Sequence, residues 1–190
     1  MLPTVMVLNG PSSAGKTHLA RMLQTILADP WLCLGVDALI LAAPNPLLND
    51  PEGLVFGPGG EVVPGPRFVR VEDAWMEGLA AMARAGANLI LDEVFLSGAA
   101  GQARWRKVLA GLEVAWVGVR CDLEVAELRE MARGDRGIGM ARSQAAVVHD
   151  GVRYDVEVDT TRDDVIACAV RVADALGLAR REIAVPTAGG

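Results

Sequence analysis

Apolar residues along this chain fall into short unbroken runs that alternate with stretches where they recur every three or four positions. Thr4-Val-Met-Val-Leu-Asn9 is the first run, and Leu19, Met22, Leu23 and Ile26 follow at helical spacing until Asp29-Pro30. Trp31-Leu-Cys-Leu-Gly-Val36 predicts a second strand, ending at Asp37. Phe68, Val71, Trp75, Leu79 and Met82 form a helical stripe closed by Gly86. Ala87-Asn-Leu-Ile-Leu91 predicts a buried strand ending at Asp92-Glu93, then a helix over 98–110 and a strand over 112–120. Asp122 is placed to N-cap a helix reaching about Arg133, which Gly134-Asp135-Arg136-Gly137 breaks. Tyr154-Asp-Val-Glu-Val-Asp159 alternates as a last strand, and a helix from about Thr161 to Gly177 follows.

Strands alternating with helices predict one α/β domain over 1–180, a parallel sheet covered on both faces, with 181–190 as a frayed tail. Ligands of such sheets gather at the carboxyl ends of the strands. That rule selects the loop after Asn9, Asp37, Asp92-Glu93 and the segment after Arg120. Residues 43–66 break the alternation with six prolines and five glycines, yet carry Leu47, Leu48, Leu54, Val55 and Phe56. A connection this long is uncommon unless it is functional or disordered, and its apolar content favours a substrate lid or pocket wall. A surface hairpin without a role is the alternative.

Composition narrows the class. At 190 residues and 52% hydrophobic content the chain can bury a sizeable core. No apolar run approaches the ~18 residues of a membrane span, and the N-terminus lacks the basic and apolar regions of a signal peptide. Cys33, Cys121 and Cys168 form no C-x-x-C and read as reduced thiols, so a cytoplasmic location is expected. A net charge of −6 offers no field for a nucleic-acid backbone. Neither nucleic acid nor membrane is an expected partner; a homo-oligomer is compatible with these features.

The chemistry starts at Gly10-Pro11-Ser12-Ser13-Ala14-Gly15-Lys16-Thr17, a complete G-x-x-x-x-G-K-[ST] phosphate-binding loop between a predicted strand and helix. Its glycines let successive backbone N–H groups turn toward one anion. Lys16 brings a point charge to the β/γ-phosphates, the Thr17 hydroxyl can ligate Mg²⁺, and the following helix points its positive end at the same place. Lys16 and Lys107 are the only lysines in the chain, which makes an incidental match rare.

Other candidates are read against this loop. Asp92, after four apolar strand residues, has the position of a Walker-B carboxylate that holds Mg²⁺. Glu93 fits either an NTPase whose glutamate activates water or a kinase in which it contacts Mg²⁺ or the acceptor. Asp37 could take a proton from an acceptor hydroxyl attacking the γ-phosphate, or simply cap a helix from Ala38. Arg129, Arg133 and Arg136 share a helical face near a glycine-hinged tip. Arg133 and Arg136 are the candidates for an arginine lid over 129–137 that closes on the transferring phosphate, with Arg129 set aside. Phe56 and Trp75 could pack on an aromatic acceptor. His18 and His149 lack partners at metal-ligand spacing.

Several stretches together resemble the chloramphenicol phosphotransferases. They are Leu8–Thr17, Gly35-Val-Asp37, Ala81-Met-Ala-Arg-Ala-Gly86, Trp116-Val-Gly-Val-Arg-Cys-Asp122, Ala132-Arg-Gly-Asp-Arg136 and Tyr154-Asp-Val-Glu-Val-Asp-Thr-Thr161, in order along nearly the whole chain. The resemblance implies a P-loop kinase-type three-layer sandwich with a five-stranded parallel core. It implies an ATP- and Mg²⁺-dependent phosphotransferase acting on the primary hydroxyl of chloramphenicol or a similar small acceptor, and hence antibiotic resistance. It makes Asp37 the proton acceptor and supports Arg133 and Arg136 as nucleotide-site residues. Two departures stand out: the family favours Asp-Asp where this chain has Asp92-Glu93, and residues 43–66 match least. Rival expectations are a kinase of another antibiotic, a sugar or a sugar nucleotide, and an NTPase switch working through a protein partner.

Overall fold

The computed structural model describes residues 1–48, 50–133 and 139–181. Its centre is strand β1 (Val5–Asn9), buried along its whole length as a strand covered on both faces must be. The chain continues through α1 (Lys16–Ile26), β2 (Trp31–Gly35), α2 (Val36–Ala42), α3 (Asn45–Leu48), β3 (Leu54–Phe56), β4 (Val62–Pro64) and α4 (Pro66–Arg84). It goes on through β5 (Asn88–Glu93), α5 (Ala99–Val108), β6 (Val114–Arg120), α6 (Leu123–Arg133), α7 (Met140–Ala145), β7 (Val156–Asp159) and α8 (Val165–Ala175). The main sheet has the order β2-β5-β1-β6-β7, with every pairing parallel. The α/β class and the five-stranded parallel core are therefore as expected.

Alternation along β1 separates the two cores. Met6 and Leu8 pack with Leu19 and Leu23 of α1 and Cys168 and Val172 of α8 on one face. Val5 and Val7 pack with Met76 and Leu79 of α4 and Trp105 of α5 on the other. Helix, sheet and helix thus form three layers. A smaller cluster of Leu39, Leu47, Leu54 and Phe68 seats α2, α3 and the β3–β4 hairpin beside the carboxyl end of the sheet.

Four local departures from expectation have physical reasons. First, β2 ends at Gly35 and Val36 opens α2, so Asp37 lies inside the first helical turn; Gly35, not Asp37, is the N-cap. Second, residues 43–66 fold into α3 and an antiparallel hairpin, because their scattered apolar residues share the Leu39–Phe68 cluster. Third, the buried face of α4 runs Phe68, Met76, Leu79, Ala80 and Ala83, whereas Val71 and Met82 are exposed. A period of 3.6 carries those two around to the solvent side. Fourth, the short helix α7 had no sequence signal; it is held by long-range contacts described below. At the far end of the chain Arg181 hydrogen-bonds the Ile26 and Leu27 carbonyls, and 182–190 lie outside the described residues.

Candidate active site

Five strand ends converge on the Gly10–Thr17 loop. Gly10 sits against β6 so closely that a Cβ would lie 2.4 Å from the Val119 carbonyl oxygen, which excludes any other residue. Gly15 turns left-handed (φ 85°) to start α1. The helix begins without a side-chain cap, so its first N–H groups remain available to an anion. Ser12 N–H donates to Gln144 Oε1 at 2.7 Å, and Thr160 Oγ1 donates to the Ala14 carbonyl at 2.8 Å. The middle of the loop is thereby tied to two distant segments.

The catalytic candidates cluster around it. Lys16, almost buried, donates from Nζ to the Pro11 carbonyl at 3.0 Å and lies 3.8 Å from Asp92 Oδ1. Thr17 Oγ1 donates to Asp92 Oδ2 at 2.6 Å. Asp92 is brought there by parallel pairing of β5 with both β1 and β2, opposite Leu8 and Gly35. A hydroxyl and a carboxylate in contact beside a phosphate loop form a hard-oxygen donor set suited to Mg²⁺, which usually takes one or two carboxylates and fills its shell with phosphate and water.

Two cavities adjoin. The larger, about 750 Å³, is lined by Lys16, Thr17, Asp92, Arg129, Arg133 and Thr160 among others. The smaller, about 530 Å³, lies under the β3–β4 hairpin and is mostly apolar, with Ile40, Leu54, Phe56 and Phe68 in its wall. Val36, Asp37 and Val94 line both. The first turn of α2 therefore stands at the boundary between a phosphate chamber and an apolar chamber.

Most expected residues meet here. Phe56 and Glu93, two of the residues expected at an acceptor, line the smaller cavity. Trp75 is not among the residues lining either cavity. On α4 it is Phe68 and Glu72, one turn apart, that face the cavity, while Trp75 packs between the second and third hydrophobic clusters. Arg136 lies outside the described residues. Arg129, set aside on sequence, reaches the larger cavity and donates to Thr160 Oγ1 at 3.2 Å and to the Thr160 carbonyl at 2.9 Å.

Glu93 is the electrostatic anomaly. Its side chain is buried in a wall of low polarity. Loss of water pushes its carboxyl well above the usual range, with Glu72 and Asp92 adding like charge, against weaker opposition from a Trp105 hydrogen bond and Lys16. Burial likewise dominates at His149, whose pKa falls to about 4 as Arg120 and Lys16 add repulsion and Glu157 opposes. Its Nδ1 lies 2.6 Å from the Tyr154 hydroxyl, which accepts from Asn9 Nδ2 at 2.6 Å.

Residues missed on sequence are mainly connectors. Asn9, at the end of β1, donates to the Val148 carbonyl at 2.7 Å and accepts from Phe95 N–H at 2.8 Å, which fixes the chain just beyond Glu93. Glu130 on α6 accepts from the Gly139 and Ala141 N–H groups, both at 2.8 Å, and so holds the start of α7. Ser143 Oγ then donates to the Gly60 carbonyl at the hairpin tip at 3.1 Å. Nothing in the local sequence marks Asn9, Glu130 or Ser143, because the partners of each lie in other segments.

Comparison with known proteins gives this geometry its context. A family model described as chloramphenicol phosphotransferase-like protein matches residues 3–177. The chain belongs to the chloramphenicol phosphotransferase-like family. A Mycobacterium tuberculosis (strain H37Rv) protein, Rv2636, provisionally named an O-phosphotransferase, is 32% identical over 173 residues, covering 83% of this chain and 75% of that protein. Solved structures share the fold. A sugar kinase from Janibacter has TM-score 0.68 at 18% identity, covering 93% of this chain and 96% of that one. The tunicamycin resistance protein of Deinococcus radiodurans has TM-score 0.66 at 20% identity, covering 96% and 99%. The APS kinase CysC of M. tuberculosis, solved with AMPPNP and APS, has TM-score 0.59 at 16% identity, covering 93% and 98%. This member of the chloramphenicol phosphotransferase-like family is a P-loop O-phosphotransferase of the kinase type. Among the described residues no helix is long and apolar enough to cross a membrane.

Proposed function

We propose that the protein transfers the γ-phosphate of ATP to a hydroxyl of a small, largely apolar acceptor of the chloramphenicol kind. The observation that carries this reading is Asp37, which lines both the phosphate chamber and the apolar chamber. ATP would lie on residues 10–17 with its phosphates toward Lys16, Arg133 and the start of α1. The acceptor would occupy the smaller cavity with its hydroxyl at Asp37. Asp37 then takes the hydroxyl proton as the oxygen attacks the γ-phosphorus and the bond to the β–γ bridging oxygen breaks to release ADP, while fixed cations compensate the charge spreading over the phosphoryl group. Lys16 supplies one of those cations from a nearly buried position, where its charge is weakly screened. Arg133 lines the same chamber, and Arg136 is proposed to act with it. Thr17 and Asp92 are the residues that would hold Mg²⁺, which when bound neutralises phosphate charge and orients the triphosphate. Use of ATP implies a cytoplasmic site of action.

Burial of Glu93 against apolar residues disfavours the NTPase-switch alternative. Glu93 lines the apolar cavity and not the phosphate chamber, away from where a water attacking the γ-phosphate would stand. Mass spectrometry of chloramphenicol incubated with the protein, ATP and Mg²⁺ tests the proposal. Addition of one phosphate is expected. Acceptor-independent ATP hydrolysis, with no phosphate on any alcohol tried, would sink it.

A further inference from the structure

The smaller cavity is acidic in a way that an apolar alcohol does not require. Asp37, Glu72 and Glu93 all line it, and among its described lining residues there is no Lys, Arg or His. Two of these carboxylates have evident employment. Asp37 stands at the boundary of the phosphate chamber, and Glu72 Oε2 accepts from Arg104 Nη1 at 2.7 Å. Glu93 differs. Its residue is only 6% exposed, and its Oε1 has no hydrogen-bond partner. A buried carboxyl oxygen without a donor is costly, and native structures rarely leave one so unless a ligand completes it. The surroundings of Glu93 are also rigid. Parallel pairing sets it opposite Asn9, whose side chain holds the Phe95 N–H just beyond it.

We propose that the acceptor is an amino alcohol, whose ammonium pairs with the Glu93 carboxyl, its Oε1 turning out of its sealed position as the ligand enters, while the hydroxyl meets Asp37. This rests on the acceptor role given above to the smaller cavity. A ligand ammonium brings both the donor that Oε1 lacks and a positive charge that none of the described lining residues carries. Neighbouring ATP phosphates and Asp37 favour the same sign and repel carboxylate, sulfate or phosphate acceptors. The apolar wall of Leu54, Phe56 and Phe68 takes the body of the ligand, so an aromatic or alkyl amino alcohol fits better than a free sugar.

Chloramphenicol and the amino diol left when its acyl group is removed make a matched pair, with one body and either an amide or an amine. Phosphoryl transfer to each is measured by mass spectrometry and ATP consumption. The amino diol is expected to be the better acceptor by about tenfold or more in kcat/KM, the scale of one charge-assisted hydrogen bond. Glu93→Gln should remove that preference through the KM of the amino diol and leave the KM of ATP within about twofold. Preference for chloramphenicol overturns the proposal and leaves the kinase reading standing. Preference for the amine that survives in Glu93→Gln overturns the role of Glu93. If neither compound is phosphorylated, the kinase reading loses its support from these acceptors. Calorimetric binding of the two with AMPPNP present then decides the proposal: tighter binding of the amine sustains it, and equal or absent binding overturns it.

Discussion

Gln144 accepts the backbone N–H of Ser12 at 2.7 Å, across 132 residues of chain. The same side chain, almost fully buried, lines the apolar cavity. One residue thus braces the phosphate loop from the side of the apolar cavity. Gln144→Leu leaves the Ser12 N–H buried without a partner and should cost about 1–3 kcal/mol of stability. Thermal unfolding should show the loss, and steady-state kinetics should show KM rising for ATP as well as for the acceptor. A change confined to the acceptor would mean that the loop holds its shape without this bond.

Asp37→Asn keeps the shape of the first turn of α2 but removes the carboxylate. If Asp37 is the general base, kcat should fall by roughly 10²–10⁴. AMPPNP affinity, measured by calorimetry, should stay within about twofold, because the phosphate loop is untouched. Unaltered turnover would remove Asp37 from the mechanism.

Thr17 and Asp92 are in contact at 2.6 Å, so each orients the other before any ion arrives. Asp92→Asn should weaken activation by Mg²⁺ about tenfold or more, read as a shift in the Mg²⁺ concentration for half-maximal rate. A chelator should abolish transfer by the native protein. Activity that persists under chelation would exclude the divalent ion.

Glu130 is buried and serves two backbone donors, Gly139 and Ala141. Glu130→Ala orphans both, at about 1–3 kcal/mol each. Denaturant unfolding should register most of that. Because α7 also carries Gln144 and Ser143, acceptor KM should rise in step. A variant as stable as the native chain would show that water replaces the carboxylate.

His149 gives stability a pH dependence of known sign. Its pKa in the folded state is about 4, below the 6.5 of the free side chain. The unfolded chain therefore binds the proton first as pH falls. Stability should be full above about pH 6.5 and decline through the window down to about pH 4. In His149→Gln the melting temperature should fall less over that interval. Equal slopes in the two proteins would assign the acid sensitivity to other groups.

The order of strands and helices was legible because burial imposes period. β1, β5 and β6 are unbroken apolar runs, since both faces of a parallel strand are covered. The phosphate loop was legible because its glycines and Lys16 serve local backbone geometry. Helix α7 was not, since its six residues are held by Glu130, Gly60 and Ser12, all far away in sequence. Trp75 shows the same limit from the other side. An aromatic on an amphipathic helix is compatible with pocket or core, and only the rotation of α4 against the sheet turned it to the core.

By itself the sequence determined the α/β alternation, the Gly10–Thr17 anion site and the presence of one carboxylate just after β2 and others at the end of β5. These follow from residue type and spacing along one segment. Tertiary structure decided which carboxylate faces which chamber: Asp92 beside Thr17, Asp37 on the boundary, and Glu93 in the apolar cavity. Asp92 and Glu93 are adjacent, yet strand pleat turns them to opposite environments, one beside the phosphate loop and one in an apolar wall. That assignment depends on the register of β5 between β1 and β2 and on a hairpin brought in from residues 54–64. Neither is written in the local pattern, because both are settled by packing between segments far apart in the chain.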